Sequence, residues 1–283
     1  MKRAAYYQPG DIRIEQRDPH RIGDDELLVK VRAASLCGTD LKIFAGGHFK
    51  VKDKGGRVLG HELAGEIVEV GRSVGGFSTG QRVAFTPNIG CATCEWCRRG
   101  LNNMCPDYEA FGISVDGGFQ NHMVVPASAI RGGNVHLVPD ALSFEEAAVV
   151  EPLSCCVNAW RGLEVTAEDT VLIIGPGPIG ACFVQLAKAY GARKVIVVGR
   201  RASRLKQIEA FGPDLTIDTS QQDVRAAVMA ATGNRGIDVV VTAASSPELQ
   251  PLAIDLLATL GRVNFFGGLA KGTMVSLDTN RIH

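Results

Sequence analysis

What the chain lacks first is net charge. In 283 residues, 30 Lys and Arg side chains stand against 30 Asp and Glu, and the two signs are interspersed. That leaves no electrostatic case for nucleic acid or an anionic membrane surface as partner, and it points to a small molecule instead. No apolar run is long enough to span a bilayer. The longest, residues 171–187, is interrupted by Gly175, Pro176, Gly177 and Pro178 and reads as a buried strand, turn and helix. The basic residues Lys2 and Arg3 lead into no apolar core, so the first residues are not a secretory signal and the expected location is the cytoplasm. What is present is a globular composition, 46% apolar, sufficient for two substantial cores.

Eight cysteines in a chain without a signal favour metal over disulfide. Four of them, Cys91, Cys94, Cys97 and Cys105, follow C-x2-C-x2-C-x7-C spacing in one loop, with Gly90 and Gly100 at its bends. Thiols so spaced can converge on one tetrahedral ion, and the loop (about residues 90–106) reads as a closed, structural zinc site. The alternative is a pair of disulfides or buried apolar thiols. Cys155, Cys156 and Cys182 fall in helical passages and read as small core residues.

Up to about residue 150 the pattern is short β-rich segments, at 27–31, 66–70, 82–85 and 121–125, punctuated by Gly and Pro. Strands so spaced, without alternating helices, suggest a compact barrel-like β domain with sites in its loops. Two such loops hold candidate ligands, one with Cys37, Gly38, Thr39 and Asp40, the other with Gly60, His61, Glu62 and Gly65. Alone, such a Cys and His are more often core residues than ligands.

From residue 151 onward strands and helices alternate. A fully apolar strand at 170–174 runs into Gly175-Pro176-Gly177-Pro178-Ile179-Gly180, then a helix to Ala189 and a second strand at 194–198. A G-x-G-x-x-G in that context is a dinucleotide-binding βαβ unit. Gly175 makes the turn, Gly177 lets backbone approach the pyrophosphate, and Gly180 permits close helix packing, with the helix N-terminus attracting phosphate. Pro178 and Ile179 belong to the same loop. At the end of the second strand, where NAD-specific sites place an acid, stand Gly199, Arg200 and Arg201, with Arg204 one turn later. The missing acid and the guanidiniums predict NADP(H) over NAD(H), and a Gly199→Asp change is expected to shift preference towards NAD. The competing view makes these arginines a solvated helix start. Further strands are expected at 215–217, 238–242 and 262–268, giving five parallel strands, with Thr242 to Ser245 and Phe266–Gly267 at carboxyl ends as nicotinamide and adenosine contacts.

The segment from Gly60 to Gly65, the Cys37-Gly38-Thr39-Asp40 loop, the Cys91–Cys105 lobe and the dinucleotide loop together resemble the zinc-dependent medium-chain dehydrogenase/reductase family. Glu151-Pro152-Leu153-Ser154 resembles its polyol (sorbitol) dehydrogenase branch, in which a glutamate stands where alcohol dehydrogenases carry a cysteine ligand. The resemblance implies an α/β protein: a GroES-like β-barrel catalytic domain (1–150), then a doubly wound Rossmann domain (151–283). It implies one catalytic zinc held by Cys37 and His61 with Glu62 and Glu151 as carboxylates, and a second, structural zinc on the lobe. Thr39 would take the substrate proton; the relay histidine of some relatives is Lys42 here. Phe44, Phe111 and the loop to Ser114 would line the substrate pocket, or simply pack the core. The chain stops at His283 where such relatives continue through a sixth strand, so it reads as C-terminally truncated. A segment like Met274–Leu277 pairs subunits in the family, which implies a homodimer or homotetramer. The implied reaction is hydride transfer between a secondary alcohol, as polyol, sugar or amino alcohol, or its ketone, and NADP(H). A catalytically silent structural or nucleotide-sensing relative is the alternative.

Overall fold

The computed structural model describes residues 1–18, 21–51 and 55–283, which fall into two compact units, Met1–Pro152 and Leu153–His283. In the first unit, β1 (Lys2–Gln8) pairs antiparallel with β2 (Asp11–Gln16). A five-stranded antiparallel sheet is built from β3 (Leu27–Ser35), β5 (Glu62–Val70), β6 (Arg82–Phe85), β9 (His122–Val125) and β10 (Val135–Leu137) in the order β10-β6-β5-β3-β9. The short β4 (Arg57–Val58) adds to β1, and β7 (Asn88–Ile89) pairs with β8 (Glu109–Ala110). Its core is Leu27, Val29, Leu63, Ile67, Val83, Met123 and Val125, contributed by inward positions of adjacent strands, as the period-two alternation of a half-buried sheet requires.

β3 and β5 meet in a register interrupted twice, between Leu28 and Val29 and between Val31 and Ala33, and the pairing that starts at Leu27↔Val70 ends at Ser35↔Glu62. β5 therefore begins at Glu62, four residues before the strand expected from sequence. Gly60 and Gly65 make the stretch look like loop, but a buried Leu63 and Ala64 opposite β3 extend the ladder. Helices α1 (Gly38–Gly46), α2 (Glu95–Arg98), α3 (Ala127–Arg131), α4 (Phe144–Ala148) and α5 (Val150–Arg161) follow in chain order. α4 opens with a reciprocal cap: Glu146 N–H donates to Ser143 Oγ at 3.1 Å and Ser143 N–H to Glu146 Oε2 at 2.7 Å. Its Ala147 and Ala148 are small enough to lie directly on Ala64 and Ala84, which fixes the chain just before Glu151.

The second unit is a parallel sheet of β11 (Thr170–Ile174), β12 (Lys194–Gly199), β13 (Leu215–Asp218), β14 (Ile237–Thr242) and β15 (Leu257–Asn264), ordered β13-β12-β11-β14-β15. Every residue of β11 is buried. Val171, Ile173, Val195, Val197, Val239 and Val241 face α5, α6 (Pro178–Ala189) and α7 (Ala202–Ile208). Leu172, Ile174, Ile196, Val198 and Val240 face α8 (Val224–Thr232) and α9 (Leu249–Asp255). Helices on both faces explain why these strands read as unbroken apolar runs. β15 starts five residues earlier than expected and ends at Asn264. It accommodates Leu260 at φ 62° and an irregular register opposite Ile237–Val239, features that look like a turn in sequence. Cys156 is fully buried in this core, whereas Cys155, one residue and about 100° around α5, is exposed and not a core residue as expected.

Candidate functional site

Three donors meet in the first unit. The Cys37 thiol, the His61 ring and the Glu62 carboxylate place their ligand atoms within 4.8 Å of one another, and His61 and Glu62 are buried. Cys37 is the residue before α1, His61 precedes β5, and Glu62 is the first residue of that strand. One side chain ties these segments together. Asp40, in the first turn of α1 and 3% exposed, accepts the Cys37 N–H at 2.9 Å and the Gly60 N–H at 3.2 Å, and its Oδ1 lies 3.8 Å from His61 Nδ1. A carboxylate facing Nδ1 favours the proton there and leaves the other ring nitrogen for the cluster. Sequence reasoning gave Asp40 no role. Its signal was an acid three positions after a helix-capping residue. Ser35, opposite Glu62 in the ladder, donates its hydroxyl to the Glu62 carboxylate.

The electrostatics of the cluster call for a cation. Burial by itself lowers the His61 pKa, but the hydrogen bond to Cys37 and the charges of Cys37, Asp40 and Glu151 outweigh it and raise it to about 9. An imidazole that binds its proton so strongly among anionic neighbours would yield that place to a metal ion, whose charge satisfies the same groups. Glu151, half-buried in the first turn of α5, is outside the 4.8 Å cluster, although its charge reaches His61. Thr39 is half-buried in the first turn of α1. Phe44 is exposed, and Phe111 is fully buried and packs edge-on against Phe85 at 5.6 Å, a core residue.

The second cluster is the thiol lobe, with Cys91, Cys94, Cys97 and Cys105 also within 4.8 Å of one another. The Cys91 and Cys97 sulfurs are 4.0 Å apart, close to the ~3.8 Å edge of a tetrahedron with ~2.3 Å zinc–sulfur bonds. Backbone N–H groups point at the sulfurs: Cys94 N–H at Cys91 (3.3 Å), Cys97 N–H at Cys94 (3.5 Å) and Cys91 N–H at Cys105 (3.4 Å). Such donors favour thiolate. With the Thr93 hydroxyl foremost they hold Cys91 down to about 6, while removal from water pushes Cys97 up to about 12. The donor set fits zinc.

In the second unit a cavity of about 720 Å³ opens over the carboxyl ends of β11, β12 and β14, at the point where the strand order reverses. Gly175, Gly177, Pro178 and Ile179 form one wall and Gly199, Arg200, Arg201 and Arg204 another. Among the described residues nothing lies within 4 Å of where a Gly177 side chain would project, so its backbone is open to a ligand, whereas a Cβ on Gly180 would come within 2.0 Å of the Gly175 carbonyl. This is the surface that a pyrophosphate at the α6 N-terminus requires. Thr242 is 1% exposed and does not line the cavity, which the following Ala243, Ala244, Ser245 and Ser246 do. Sequence reasoning missed the opposite wall, Thr219 with the apolar Val224, Leu249 and Leu252, which carry no motif. It also missed Glu248, whose carboxyl is held low by the Ser246 hydroxyl and, more weakly, by Arg200.

The parallel sheet, its phosphate loop and two metal-ligand clusters define the architecture of a zinc-binding dehydrogenase. Comparisons agree. The alcohol dehydrogenase GroES-like domain matches residues 23–140 and the zinc-binding dehydrogenase domain matches residues 178–283. Sorbitol dehydrogenase of Bacillus subtilis is 36% identical over 270 residues, covering 94% of this chain and 75% of its own length. L-threonine 3-dehydrogenase of Pyrococcus abyssi is 35% identical over 266 residues, with 94% and 74% covered. A zinc-binding dehydrogenase from Sinorhizobium meliloti bound to NADP superimposes with a TM-score of 0.90 at 33% identity, covering 99% of this chain and 80% of that one. An Escherichia coli short chain alcohol dehydrogenase complexed with NADH gives 0.86 at 31%, covering 100% and 80%. The chain belongs to the zinc-dependent medium-chain alcohol dehydrogenase family, and is an oxidoreductase of alcohols that uses a nicotinamide cofactor. Among the described residues no helix is long and apolar enough to cross a membrane.

Proposed function

We propose that the chain interconverts a secondary alcohol of a polyol, sugar or amino alcohol with its ketone, with NADP(H) as hydride carrier. The observation that carries this reading is the Cys37–His61–Glu62 cluster, with His61 and Glu62 buried and Asp40 behind them. Relatives acting on sorbitol and on threonine support the substrate class. Zinc at such a site would supply Lewis-acid charge and keep one position open for a hydroxyl. Cys37 and His61 would hold it, with Glu62 and Glu151 contributing anionic charge. Ser35 restrains Glu62, and Asp40 orients His61. Thr39, in the turn that follows Cys37, would accept the substrate's hydroxyl proton. The Gly175–Gly180 turn would hold the pyrophosphate, and Arg200, Arg201 and Arg204 would meet the 2′-phosphate with charge-assisted hydrogen bonds. The four-thiol lobe would hold a second, structural zinc.

Metal analysis of the purified protein together with a screen of polyols, aldoses, amino alcohols and threonine tests this. Two zinc ions per chain are expected, one for each ligand cluster, with kcat/KM for NADP exceeding that for NAD by about tenfold or more. Equal or better use of NAD sinks the cofactor assignment, and zinc on the lobe alone sinks the catalytic one.

A further inference from the structure

We propose that Pro176 and Gly199 form a steric pair that bars an acidic side chain from the cofactor cleft, the proline ring filling the space in which a side chain at position 199 would begin. The inference rests on the reading of the cavity as an NADP(H) site and deepens it, because it gives a reason why no acid can stand beside the arginines.

Gly199 ends β12, is buried and lines the cavity. Its φ lies outside the left-handed region, so the backbone does not demand glycine there. Space does. A Cβ on Gly199 would lie 2.5 Å from Pro176 Cγ, 2.6 Å from Pro176 Cδ and 3.2 Å from Leu205 Cδ2. Real Cβ atoms do not approach so closely, and a proline ring bonded to its own nitrogen cannot swing aside as a long side chain could.

Neither partner of the clash is free to retreat. Pro176 belongs to the turn whose Gly175 stands at φ +121° and donates its N–H to Val198 O at 2.9 Å, the residue before Gly199. Gly180 packs against the same Gly175 carbonyl. On the other side, Gly199 O accepts the Thr219 N–H at 2.9 Å. A side chain at 199 therefore displaces the phosphate loop, and with it the binding of any dinucleotide, before its charge can act on a ribose. The expectation that Gly199→Asp alone shifts preference towards NAD does not survive this geometry. The pair thereby keeps a ribose-binding acid out of position 199 and leaves discrimination between the cofactors to the arginines.

The test compares six proteins on the zinc-loaded chain, a Pro176→Ala and Gly199→Ala cycle with two Gly199→Asp variants, with Kd for NADPH and NADH read by nicotinamide fluorescence. Gly199→Ala adds one carbon and no charge, and should weaken both cofactors in parallel by about tenfold. Pro176→Ala/Gly199→Ala should return both to within about threefold of Pro176→Ala alone, since the obstacle is gone. Gly199→Asp should lose both cofactors, while Pro176→Ala/Gly199→Asp should bind NADH better than NADPH. Wild-type binding by Gly199→Ala overturns the proposal, and so does a gain in NADH affinity by Gly199→Asp alone. If Gly199→Ala is too unstable to titrate, its melting temperature becomes the readout: recovery on adding Pro176→Ala supports the pair, and no recovery overturns it. A wild-type preference for NADH would remove the NADP reading while leaving the Gly199→Ala coupling intact. A wild-type preference for NADPH without coupling would remove the pair alone.

Discussion

The two clusters of candidate metal ligands in the first unit use similar donors in opposite ways. The thiol lobe takes all four ligands from one stretch between Cys91 and Cys105, closed at its base by the β7–β8 pair, and its own backbone N–H groups support the sulfurs. The other cluster collects Cys37 from the start of a helix and His61 and Glu62 from the start of a strand, feels the charge of Glu151 on a third element, and depends on Asp40 to hold the segments in place. Four thiolates complete a tetrahedron and leave no vacancy, whereas a thiol, an imidazole and a carboxylate leave room for a substrate oxygen. A site made within one loop can be rigid by itself. A site assembled from distant segments is only as well placed as the fold that brings them together.

The largest effect that could break this contrast is on turnover. His61→Ala should lower kcat/KM by about 10³-fold or more, because a zinc held at that site would supply several kcal/mol of charge stabilisation. Metal analysis should then find the lobe's ion alone. Retained turnover would show that the open cluster is not where the chemistry takes place. Cys94→Ser should act in the reverse sense. Loss of a structural ion worth a few kcal/mol should lower the melting temperature by about 5–10 °C, with kcat of the folded fraction changed by less than about threefold. A variant that melted normally yet lost turnover would exchange the roles of the two clusters.

The smallest effect separates metal loss from ordinary acid unfolding. Acid strips ions from both clusters by protonating their ligands, so a charge remote from them is needed as a control. Asp169 in the second unit is that group. Burial raises its pKa, but the Thr166 N–H and Arg262, whose guanidinium is 2.6 Å away, outweigh burial and hold the carboxyl below its usual value. A folded-state pKa below the unfolded one adds stability that is present above about pH 4 and is lost as pH falls through the folded value. Asp169→Asn should cost about 1 kcal/mol at neutral pH, read as a melting-temperature decrease of about 2–4 °C that shrinks as pH falls through the folded-state value. A decrease that persisted in acid would show that the side chain contributes through its shape rather than its charge.

The same contrast governs what could be seen in the sequence. The lobe was legible because its ligands and spacing are local. The parallel sheet was legible because strands covered on both faces must be apolar throughout, as Thr170–Ile174 is apart from its first residue. Cys37 and His61 carry no such signature, and only resemblance singled them out. Asp40 stayed hidden, since an acid in a first helical turn has a commonplace explanation in capping. The start of β5 at Glu62 was obscured by Gly60 and Gly65, and that of β15 by Gly261 and the left-handed Leu260. Pro176 against Gly199 was invisible for a simpler reason: neither residue is unusual where it stands, and the contact exists only between the end of one strand and the turn after its neighbour.

The doubly interrupted register of β3 and β5 bears on how such a chain can be inherited. Between Leu28 and Val29 the extra residue is on β5, at Val68; between Val31 and Ala33 it is on β3, at Arg32. The two offsets cancel, so Ser35 arrives opposite Glu62 as if neither existed. Each bulge absorbs its extra residue on the spot, so loss of Val68 or of Arg32 alone would straighten the ladder locally and leave Ser35 opposite Glu62. Along this strand pair a lineage can therefore change length one residue at a time, at either bulge, without parting the Glu62 carboxylate from the hydroxyl that holds it.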